Sequence, residues 1–442
     1  MISLIYQVGG SVRDEILGGA PKDYDYVVVG STVQEMLDKG FKQVGNDFPV
    51  FLHPETGDEY ALARMERKTG DKHTDFEFEF GPNVTLQDDL IRRDLTINAI
   101  AKDLITGEYI DYFNGIKDLE DGILRHVSEH FIEDPLRVLR LGMFKARYLF
   151  DIAPETLELC KQMVKDGMLN HLTPERIWNE IEKALHTPNF HEFILFLDEI
   201  DALQVIFPEL AALKDVPENV IYHPEGNAFK HTILTLKQVY YCFFEMDPII
   251  EMDTAQMPLL NFGLMCHDFG KQDTFKDEWP AHHGHDLLGL SRVDRMCERL
   301  KIPNVYQEHA WLACRYHMKY YEFMKSKKKT QFDFVHDVTD NFRYFDRLTF
   351  LHRVHRCDLC GREGTIAPER LENYWTVTKR MNTIFSIMNG VTLKDLPEKK
   401  QQELMKYKGI VFGQRYREAM ISYMKQELSR RENVQRETTG GN

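Results

Sequence analysis

The chain has 442 residues, a formal net charge of −15, 43% hydrophobic and 28% charged residues, and seven cysteines. This composition predicts a globular protein of two to four domains and excludes a disordered chain. The acidic charge argues against non-specific coating of nucleic acid, so RNA binding would need local basic patches. Irregularly spaced cysteines predict reduced thiols in the cytoplasm. The chain has no basic N-terminal segment and no long apolar run, so we expect neither a signal peptide nor a membrane span.

The first part of the chain is typical of alternating strands and helices. SLIYQV predicts a strand, a Gly-Gly pair ends it, and SVRDEIL predicts a short helix capped by Ser11. YDYVVVG predicts a second strand, and the helix after it is predicted to begin at Ser31 and to end at Gly40. Further strands are predicted at FPVFLH and EYALARM, and as a hairpin across INAIAKDLITGEYIDYF.

Helical periodicity replaces this pattern near Asp134. DPLRVLRLGMFKARY places Leu136, Leu139 and Met143 on one helical face, and LTPERIWNEIEKAL predicts a helix that begins at Pro174. Almost everything downstream predicts helix. Domain boundaries are expected in the proline-rich segment FPELAALKDVPENVIYHPEG and near KSKKKTQFDF.

Two carboxylates, Asp23 and Asp25, stand one residue apart where the second predicted strand begins. Side chains at i and i+2 share one face of a strand, so these carboxylates are expected to point the same way. Divalent cations relieve such a pair of like charges, and Mg²⁺ prefers oxygen ligands and phosphates. A lone Asp-x-Asp is more often a solvated strand entry. Here, however, it follows a Gly-Gly turn and Arg13, a narrower pattern that favours a triphosphate site.

Five segments in chain order, VGGSVRD, KDYDYVVVG, ERKTG, DDLIRRDLTINAIA and EDPLRVLR, resemble the bacterial class II nucleotidyltransferases. These are the CCA-adding tRNA nucleotidyltransferases and the bacterial poly(A) polymerases. The resemblance is strongest to CCA-adding enzymes that carry an HD phosphohydrolase domain. It implies an α+β, polymerase β-like head, an all-α body, an all-α HD domain and a helical tail. The head would cover residues 1–133, the body 134–218, the HD domain 219–330 with a later ligand near 358, and the tail 331–442.

The resemblance implies roles for residues of the head. Asp23 and Asp25 would bind the catalytic Mg²⁺ ions, so that the 3′-hydroxyl of an RNA attacks the α-phosphate of a nucleotide. Gly10 and Arg13 would hold the triphosphate, and Arg93 would contact the nucleotide. A third carboxylate often completes such sites, and two candidates stay open, Glu59 and Asp94.

In this family the EDPLRVLR helix resembles an amino-acid template for the incoming base. Cytosine and adenine both present an amine donor beside a ring-nitrogen acceptor. Asp134 would accept from the amine and Arg137 would donate to the ring nitrogen, whereas guanine and uracil present the opposite polarity. Arg140, three residues further on, is expected to contact the nucleotide too. Without the resemblance, acids at a helix N-terminus and solvated arginines would explain the segment equally well.

A second candidate site follows from FGLMCHDFGK. The resemblance to the HD superfamily, with its H…HD…D order, implies the metal ligands His231, His267, Asp268 and Asp358. Ni²⁺, Mn²⁺, Fe²⁺ and Mg²⁺ all remain candidates for the ion, because mixed nitrogen and oxygen ligands do not select one. The implied activity is hydrolysis of phosphomonoesters, 2′-nucleotides or 2′,3′-cyclic phosphates.

Two further pairs near this motif are ambiguous. His285 and His317 resemble additional histidines of the superfamily, although a lone core histidine is usually only packed. Cys357 and Cys360 form a single C-x-x-C around Asp358, which is weak support for zinc, and we expect both thiols to be packing residues.

The resulting prediction is an enzyme that adds C, C and A to tRNA from CTP and ATP, as a monomer or homodimer in the cytoplasm and without a membrane. KSKKKT and SRRENVQR are candidate RNA contacts. Four alternatives remain: a poly(A) polymerase on the same scaffold, an HD-type nucleotide hydrolase with a sensory head, a non-catalytic tRNA-binding protein, and an enzyme that adds only CC or only A. The loop after Arg64, which contains ERKTG, is expected to influence whether the enzyme adds all of CCA or only CC or only A.

Overall fold

The computed structural model describes residues 4–21, 23–44, 50–68, 76–244, 254–364 and 368–439. The chain folds into two compact units. One comprises Met1–Ala184 and Glu192–Ile206, and the other comprises Leu185–His191 and Phe207–Asn442. Within the described ranges, we find no helix with the length and apolar character needed to cross a membrane. The four predicted domain ranges remain predictions.

The first unit begins with strands and short helices, as the sequence predicts. Its strands are β1 Leu4–Val8, β2 Asp25–Val29, β3 Lys42–Val44, β4 Val50–Leu52, β5 Glu59–Leu62, β6 Arg64–Lys68, β7 Phe76–Phe80, β8 Ile100–Asp103, β9 Tyr109–Asp111, β10 Ile123–Leu124 and β11 Asp151–Ile152. Its helices are α1 Gly10–Ile16, α2 Val33–Asp38, α3 Leu86–Leu90, α4 Gly115–Asp121, α5 Leu136–Tyr148, α6 Pro154–Lys165, α7 Pro174–Leu185, α8 Phe190–Glu199 and α9 Leu203–Ile206.

Seven strands form a mixed sheet in the order β3-β4-β5-β2-β1-β8-β9. Strand β2 runs antiparallel to β1 and parallel to β5, which brings Asp25 level with Val8 on one side and Glu59 on the other. Val27 and Val28 are both buried but belong to different apolar clusters, so both faces of the sheet are covered. Because both faces of the sheet are covered, the position of Asp25, the first residue of β2, is fixed.

Two predicted helix caps are wrong. Gly9 precedes α1 with φ of 73°, and the Ser11 hydroxyl instead donates to a carbonyl of β1. Helix α2 is capped by Thr32, whose side chain accepts from the backbone N–H of Glu35 while the Glu35 carboxylate accepts from the Thr32 N–H. Ser31 donates to the same carboxylate. A reciprocal capping box thus favours Thr32 over its neighbour.

The second unit is helical throughout its described part. Its helices are α10 Pro208–Ala211, α11 Ala228–Phe244, α12 Met257–Cys266, α13 His285–Leu300, α14 Asn304–Tyr316, α15 Lys319–Glu322, α16 Lys328–Val338, α17 Phe345–Cys360, α18 Pro368–Met388, α19 Glu398–Leu404 and α20 Gly409–Thr439. Helix α12 is almost wholly buried and packs against α11, α14 and α17. Gly270 follows it, and a Cβ there would lie 2.0 Å from the His285 carbonyl oxygen. Only glycine therefore permits this approach of α13.

Candidate functional site

A cavity of about 490 Å³ opens in the first unit, beside the first residues of β2 and β5. Five of the eight residues predicted for nucleotidyl transfer line it, namely Asp25, Arg93, Asp134, Arg137 and Arg140. Carboxylates and guanidinium groups share this space, an arrangement suited to a metal-bound triphosphate.

Asp25 lies at the edge of the cavity, close to the Gly-Gly turn. A Cβ on Gly9 would lie 2.8 Å from Arg93 Nη1 and 3.9 Å from Asp25 Oδ2, so the turn requires glycine for its contacts as well as for its φ. Desolvation raises the pKa of Asp25, attraction by Arg93 opposes this, and repulsion by Asp23 adds to it. Asp23 therefore lies near Asp25. It occupies a bend before β2, however, so the expectation that both carboxylates share a strand face is wrong.

The structure separates the two candidates for a third carboxylate. Asp94 is buried, its Oδ2 accepts from Arg140 Nε at 2.9 Å, and its Oδ1 accepts from Asn98 Nδ2 at 2.9 Å. Both carboxylate oxygens of Asp94 thus accept hydrogen bonds from neighbouring side chains. Glu59 is exposed, lines the cavity and pairs in register with Asp25. Glu59 is therefore the better placed of the two to join a metal site.

Replacing Asp94 with asparagine should lower the free energy of unfolding at pH 7 by about 2 kcal/mol, because it removes a buried charged partner of Arg140. Arg140 is 34% exposed and keeps Glu180 at 3.9 Å, which limits the loss. Burial opposes ionisation of Asp94, yet attraction by Arg140 together with hydrogen bonds lowers its pKa overall. The contribution is thus fully present above the unfolded-state pKa of about 3.9, and it is lost progressively as the pH falls from there through the lower folded-state pKa. Urea unfolding at pH 7 and at pH 3.5 measures both effects. The matched variant Asp121→Asn, at an exposed ion pair, should change stability far less.

Asp134 and Arg137 are both held in place at the cavity wall. Asp134 precedes α5 in an extended conformation, and its Oδ2 accepts from Arg176 Nη2 at 2.8 Å. Arg137 Nη1 donates to the His130 carbonyl at 2.7 Å, and its Nη2 donates to the Arg92 carbonyl at 2.6 Å. A fixed acceptor and a fixed donor side by side match the polarity that the template interpretation requires.

Other residues of the cavity were missed by the sequence interpretation. Arg64, Tyr26 and Asp89 line it, and so does Arg176, which comes from the first turn of α7. The sequence gives no local signal that Arg176 meets Asp134, since the contact crosses 42 residues.

Three predicted residues, Gly10, Arg13 and Asp23, are not among the described residues that line the cavity. Arg13 is buried, pairs with Asp14 at 2.8 Å, and lies over the rings of Phe144 and Tyr148 at 5.2 and 5.4 Å. In this structure it joins α1 to α5. The ERKTG segment runs into residues 69–75, which lie outside the described ranges.

All four predicted metal ligands of the second unit come together, and each is buried. His231 Nε2 lies 3.0 Å from Asp358 Oδ1, and His267 Nε2 lies 3.2 Å from Asp268 Oδ2. His231, His267 and Asp358 form one set whose ligand atoms all lie within 4.8 Å of one another. Helices α11 and α17 and the end of α12 supply the set.

The two ambiguous histidines form a second set with Asp268. Asp268 Oδ1 lies 3.6 Å from His285 Nε2 and 3.5 Å from His317 Nε2. His267 Nε2 and Asp268 Oδ1 are buried and have no hydrogen-bond partner among the described residues. Unpartnered nitrogen and oxygen donors that converge in this way fit divalent ions with mixed ligands.

Neighbouring groups orient these ligands. Glu225 Oε1 lies 2.9 Å from His231 Nδ1. A proton on Nδ1 would donate to Glu225 and orient the ring so that Nε2 faces Asp358. Lys271 Nζ lies 2.7 Å from Asp268 Oδ2 and 2.6 Å from Glu218 Oε1, and these carboxylates raise the Lys271 pKa although burial opposes this. Burial and the neighbouring His317 lower the pKa of His285 to about 3, which keeps its imidazole neutral.

The cysteines belong to none of the three sets of candidate ligands among the described residues, the third set being His223, Glu225 and His231. All seven are free thiols, and Cys357 Sγ contacts Cys242 Sγ at 3.3 Å. Burial raises the pKa of Cys360 to about 11. Both cysteines of the C-x-x-C pair thus remain protonated and packed in this structure.

Comparisons with known proteins support the fold. Residues 5–125 match the family model described as the poly A polymerase head domain, and residues 149–214 match the probable RNA and SrmB-binding site of polymerase A. A CCA-adding enzyme in complex with ATP has 21% identity and a TM-score of 0.60, over 96% of this chain and 86% of that one. A tRNA-processing enzyme with CTP has 24% identity and a TM-score of 0.53, over 96% and 97%.

The Thermotoga maritima CCA-adding enzyme complexed with tRNA is 18% identical, with a TM-score of 0.55 over 97% of this chain and 91% of that one. The predicted fold class, a polymerase β-like head with a mixed sheet followed by a largely helical body, is thereby confirmed. Two segments of the chain therefore match the models of a poly A polymerase head domain and of its RNA-binding region, and the chain has the fold of the solved CCA-adding enzymes.

Proposed function

We propose that this protein adds C, C and A to the 3′ end of tRNA, using CTP and ATP and no nucleic-acid template. One observation carries the proposal: Asp25, Asp134 and Arg137 line the same cavity, so a metal-bound phosphate and a base would be held together there. The likeness to CCA-adding enzymes, one with ATP and one with tRNA, supports the choice of substrates. We place the activity in the cytoplasm, in a monomer or homodimer.

The carboxylates of the head fit Mg²⁺. Asp25 and Glu59 stand level on adjacent strands, and the charge of Asp23 acts on Asp25, so Asp25 has both other carboxylates as neighbours. These residues would hold the metal, which supplies activation of the 3′-hydroxyl and neutralises the pyrophosphate leaving group. Arg93, beside Asp25, would bind the phosphates of the nucleotide.

The choice of base would follow from Asp134 and Arg137. The Asp134 carboxylate accepts only, and the Arg137 guanidinium donates only, so together they suit cytosine and adenine. Uracil and guanine would place a carbonyl against the carboxylate and an N–H against the guanidinium. Because such a mismatch leaves buried polar groups unpaired, it is rejected more strongly than a difference in size.

The decisive experiment uses three tRNAs, ending before CCA, after C and after CC, each with a single nucleoside triphosphate and Mg²⁺. Two additions of C followed by one of A, with G and U refused, are expected. Unlimited addition of A would indicate a poly(A) polymerase instead, and addition of only CC or only A would indicate a partial enzyme. No incorporation at all would contradict the proposal.

Replacing Asp134 with alanine should lower the preference for CTP over UTP by about 10- to 150-fold, the effect of losing one hydrogen bond to a charged group. Single-turnover incorporation of each nucleotide measures this ratio. The control Asp151→Ala removes a carboxylate that is 86% exposed and should leave the ratio unchanged. An unchanged ratio in Asp134→Ala would contradict the template role.

A second activity is favoured by the two donor sets of the helical unit. We propose metal-dependent hydrolysis of phosphomonoesters, including 2′-nucleotides and 2′,3′-cyclic phosphates, with His231, His267, Asp268 and Asp358 as ligands. His285 and His317 would hold a second ion through Asp268, because their nitrogens converge on its Oδ1. A bound divalent ion would supply an activated water for the hydrolysis. Manganese or nickel content, measured on the purified protein, tests the site directly.

A further inference from the structure

A cavity of about 530 Å³ adjoins the metal ligands of the helical unit. Lys271 and Arg362 line it beside Asp268 and Asp358, and Glu218, which also lines it, pairs with Lys271. Tyr222 lines the same cavity. A guanidinium beside a metal ligand and an exposed tyrosine ring suit a ligand that carries a phosphate and a planar ring.

Arg362 is placed for the phosphate. Its side chain is only 13% exposed, its Nη2 lies 3.6 Å from Asp358 Oδ1, and the same nitrogen donates to the Tyr321 hydroxyl at 2.9 Å. Its Nε is buried and lacks a hydrogen-bond partner among the described residues. An arginine held beside a metal ligand with an unused N–H is suited to bind a phosphate oxygen.

Tyr222 and Arg370 are placed for the ring. Tyr222 is 53% exposed although it lines the cavity, and the Arg370 guanidinium lies 5.9 Å from the centre of its ring. Asn219 and Asn373 also line the cavity and offer amide donors and acceptors. Aromatic and guanidinium planes stack on nucleobases of any sequence, and amides recognise base edges.

We infer that this cavity binds a nucleoside monophosphate, with Arg362 against the phosphate and with Tyr222 and Arg370 against the nucleobase. The inference rests on the hydrolase activity proposed above and adds the residues that select the substrate. A simple sugar phosphate would have no group to contact Tyr222 and Arg370. A nucleotide uses them together with Arg362.

The test compares adenosine 2′-monophosphate with glycerol 2-phosphate, which has no ring, on the full-length protein loaded with Mn²⁺. In Tyr222→Ala the ratio of the two kcat/KM values should fall by about 5- to 150-fold, the effect of losing one stacked base. Arg362→Gln should slow both substrates. The control Tyr344→Ala removes another exposed tyrosine that lies beneath an arginine, 5.1 Å from Arg347. Tyr344 does not line the cavity, so its loss should leave the ratio unchanged.

Calorimetric binding of adenosine 2′-monophosphate separates this inference from the hydrolase proposal. If the wild-type protein hydrolyses neither substrate but binds the nucleotide, and Tyr222→Ala weakens that binding, the base site stands and the hydrolase proposal fails. If hydrolysis occurs and Tyr222→Ala changes neither the ratio nor the binding, the base site is wrong. An equal loss on both substrates would also overturn it, because it would assign Tyr222 a purely structural role.

Discussion

Replacing Asp25 with alanine should reduce the addition of both C and A by about a thousandfold or more, while tRNA binding is retained. Loss of a metal ligand removes several kcal/mol of transition-state stabilisation, and each 1.4 kcal/mol is tenfold in rate. Asp25 is the first residue of β2 and its backbone is paired on both sides, so alanine should leave the sheet intact. Incorporation of radiolabelled CTP and ATP into tRNA measures the rate, and fluorescence anisotropy measures the binding.

The control for this variant is Asp38→Ala. Asp38 is an exposed carboxylate on α2 that accepts from the Gln34 side chain and does not line the head cavity. The Asp38→Ala variant should add C and A at the wild-type rate. Unchanged addition in Asp25→Ala would sink the nucleotidyltransferase proposal, and loss of tRNA binding in the same variant would assign Asp25 to folding instead.

Replacing His267 with alanine should reduce phosphohydrolase activity by at least about a hundredfold and lower the bound metal, while C and A addition continues. His267 Nε2 is a buried donor in the first set of ligands, and its loss leaves only His231 and Asp358 there. Removing a residue that only hydrogen-bonds to a metal ligand typically lowers metal affinity or activity by about 10- to 100-fold. Removing the ligand itself should cost at least as much. Hydrolysis of a 2′-nucleotide and metal analysis by mass spectrometry provide two independent measurements.

The chain offers a matched control in another His-Asp dipeptide. His336 also precedes an aspartate, but its Nδ1 contacts that neighbour, Asp337, near the protein surface and it belongs to neither donor set. His336→Ala should retain the metal and both activities. Loss of nucleotide addition together with hydrolysis in a folded His267→Ala protein would show that the two sites are not independent.

Much of the site follows from short-range patterns in the sequence. The carboxylate at the start of β2, the pair Asp134 and Arg137, and the His-Asp ligands all lie in motifs of a few residues, where spacing and residue type fix the local geometry. The order of strands and then helices was likewise predictable, because hydrophobic periodicity changes near Asp134. Helix caps were less predictable. Ser31 with Gln34 and Thr32 with Glu35 both have the spacing of a capping box, so the sequence does not choose between them.

The remaining parts depend on contacts between distant segments. The contact of Arg13 with the triphosphate stays a prediction, and its packing against the rings of Phe144 and Tyr148 depends on α5, which is distant in the sequence. Arg176 reaches Asp134 only because α7 packs beside the start of α5. Asp94 and Glu59 were indistinguishable as sequence candidates, and it is the ion pair with Arg140 that separates them. No local pattern encodes these pairings.

The path of the chain between its units has a practical consequence for dissecting the protein. The chain leaves the first unit after Ala184, re-enters it at Glu192 and leaves it again after Ile206. A single cleavage, whether by a protease or by shortening the gene, therefore cannot yield both units whole. A fragment that stops at residue 184 lacks Glu192–Ile206, and one that starts at residue 207 lacks Leu185–His191. Separate assay of the two activities is thus better achieved with point variants than with fragments.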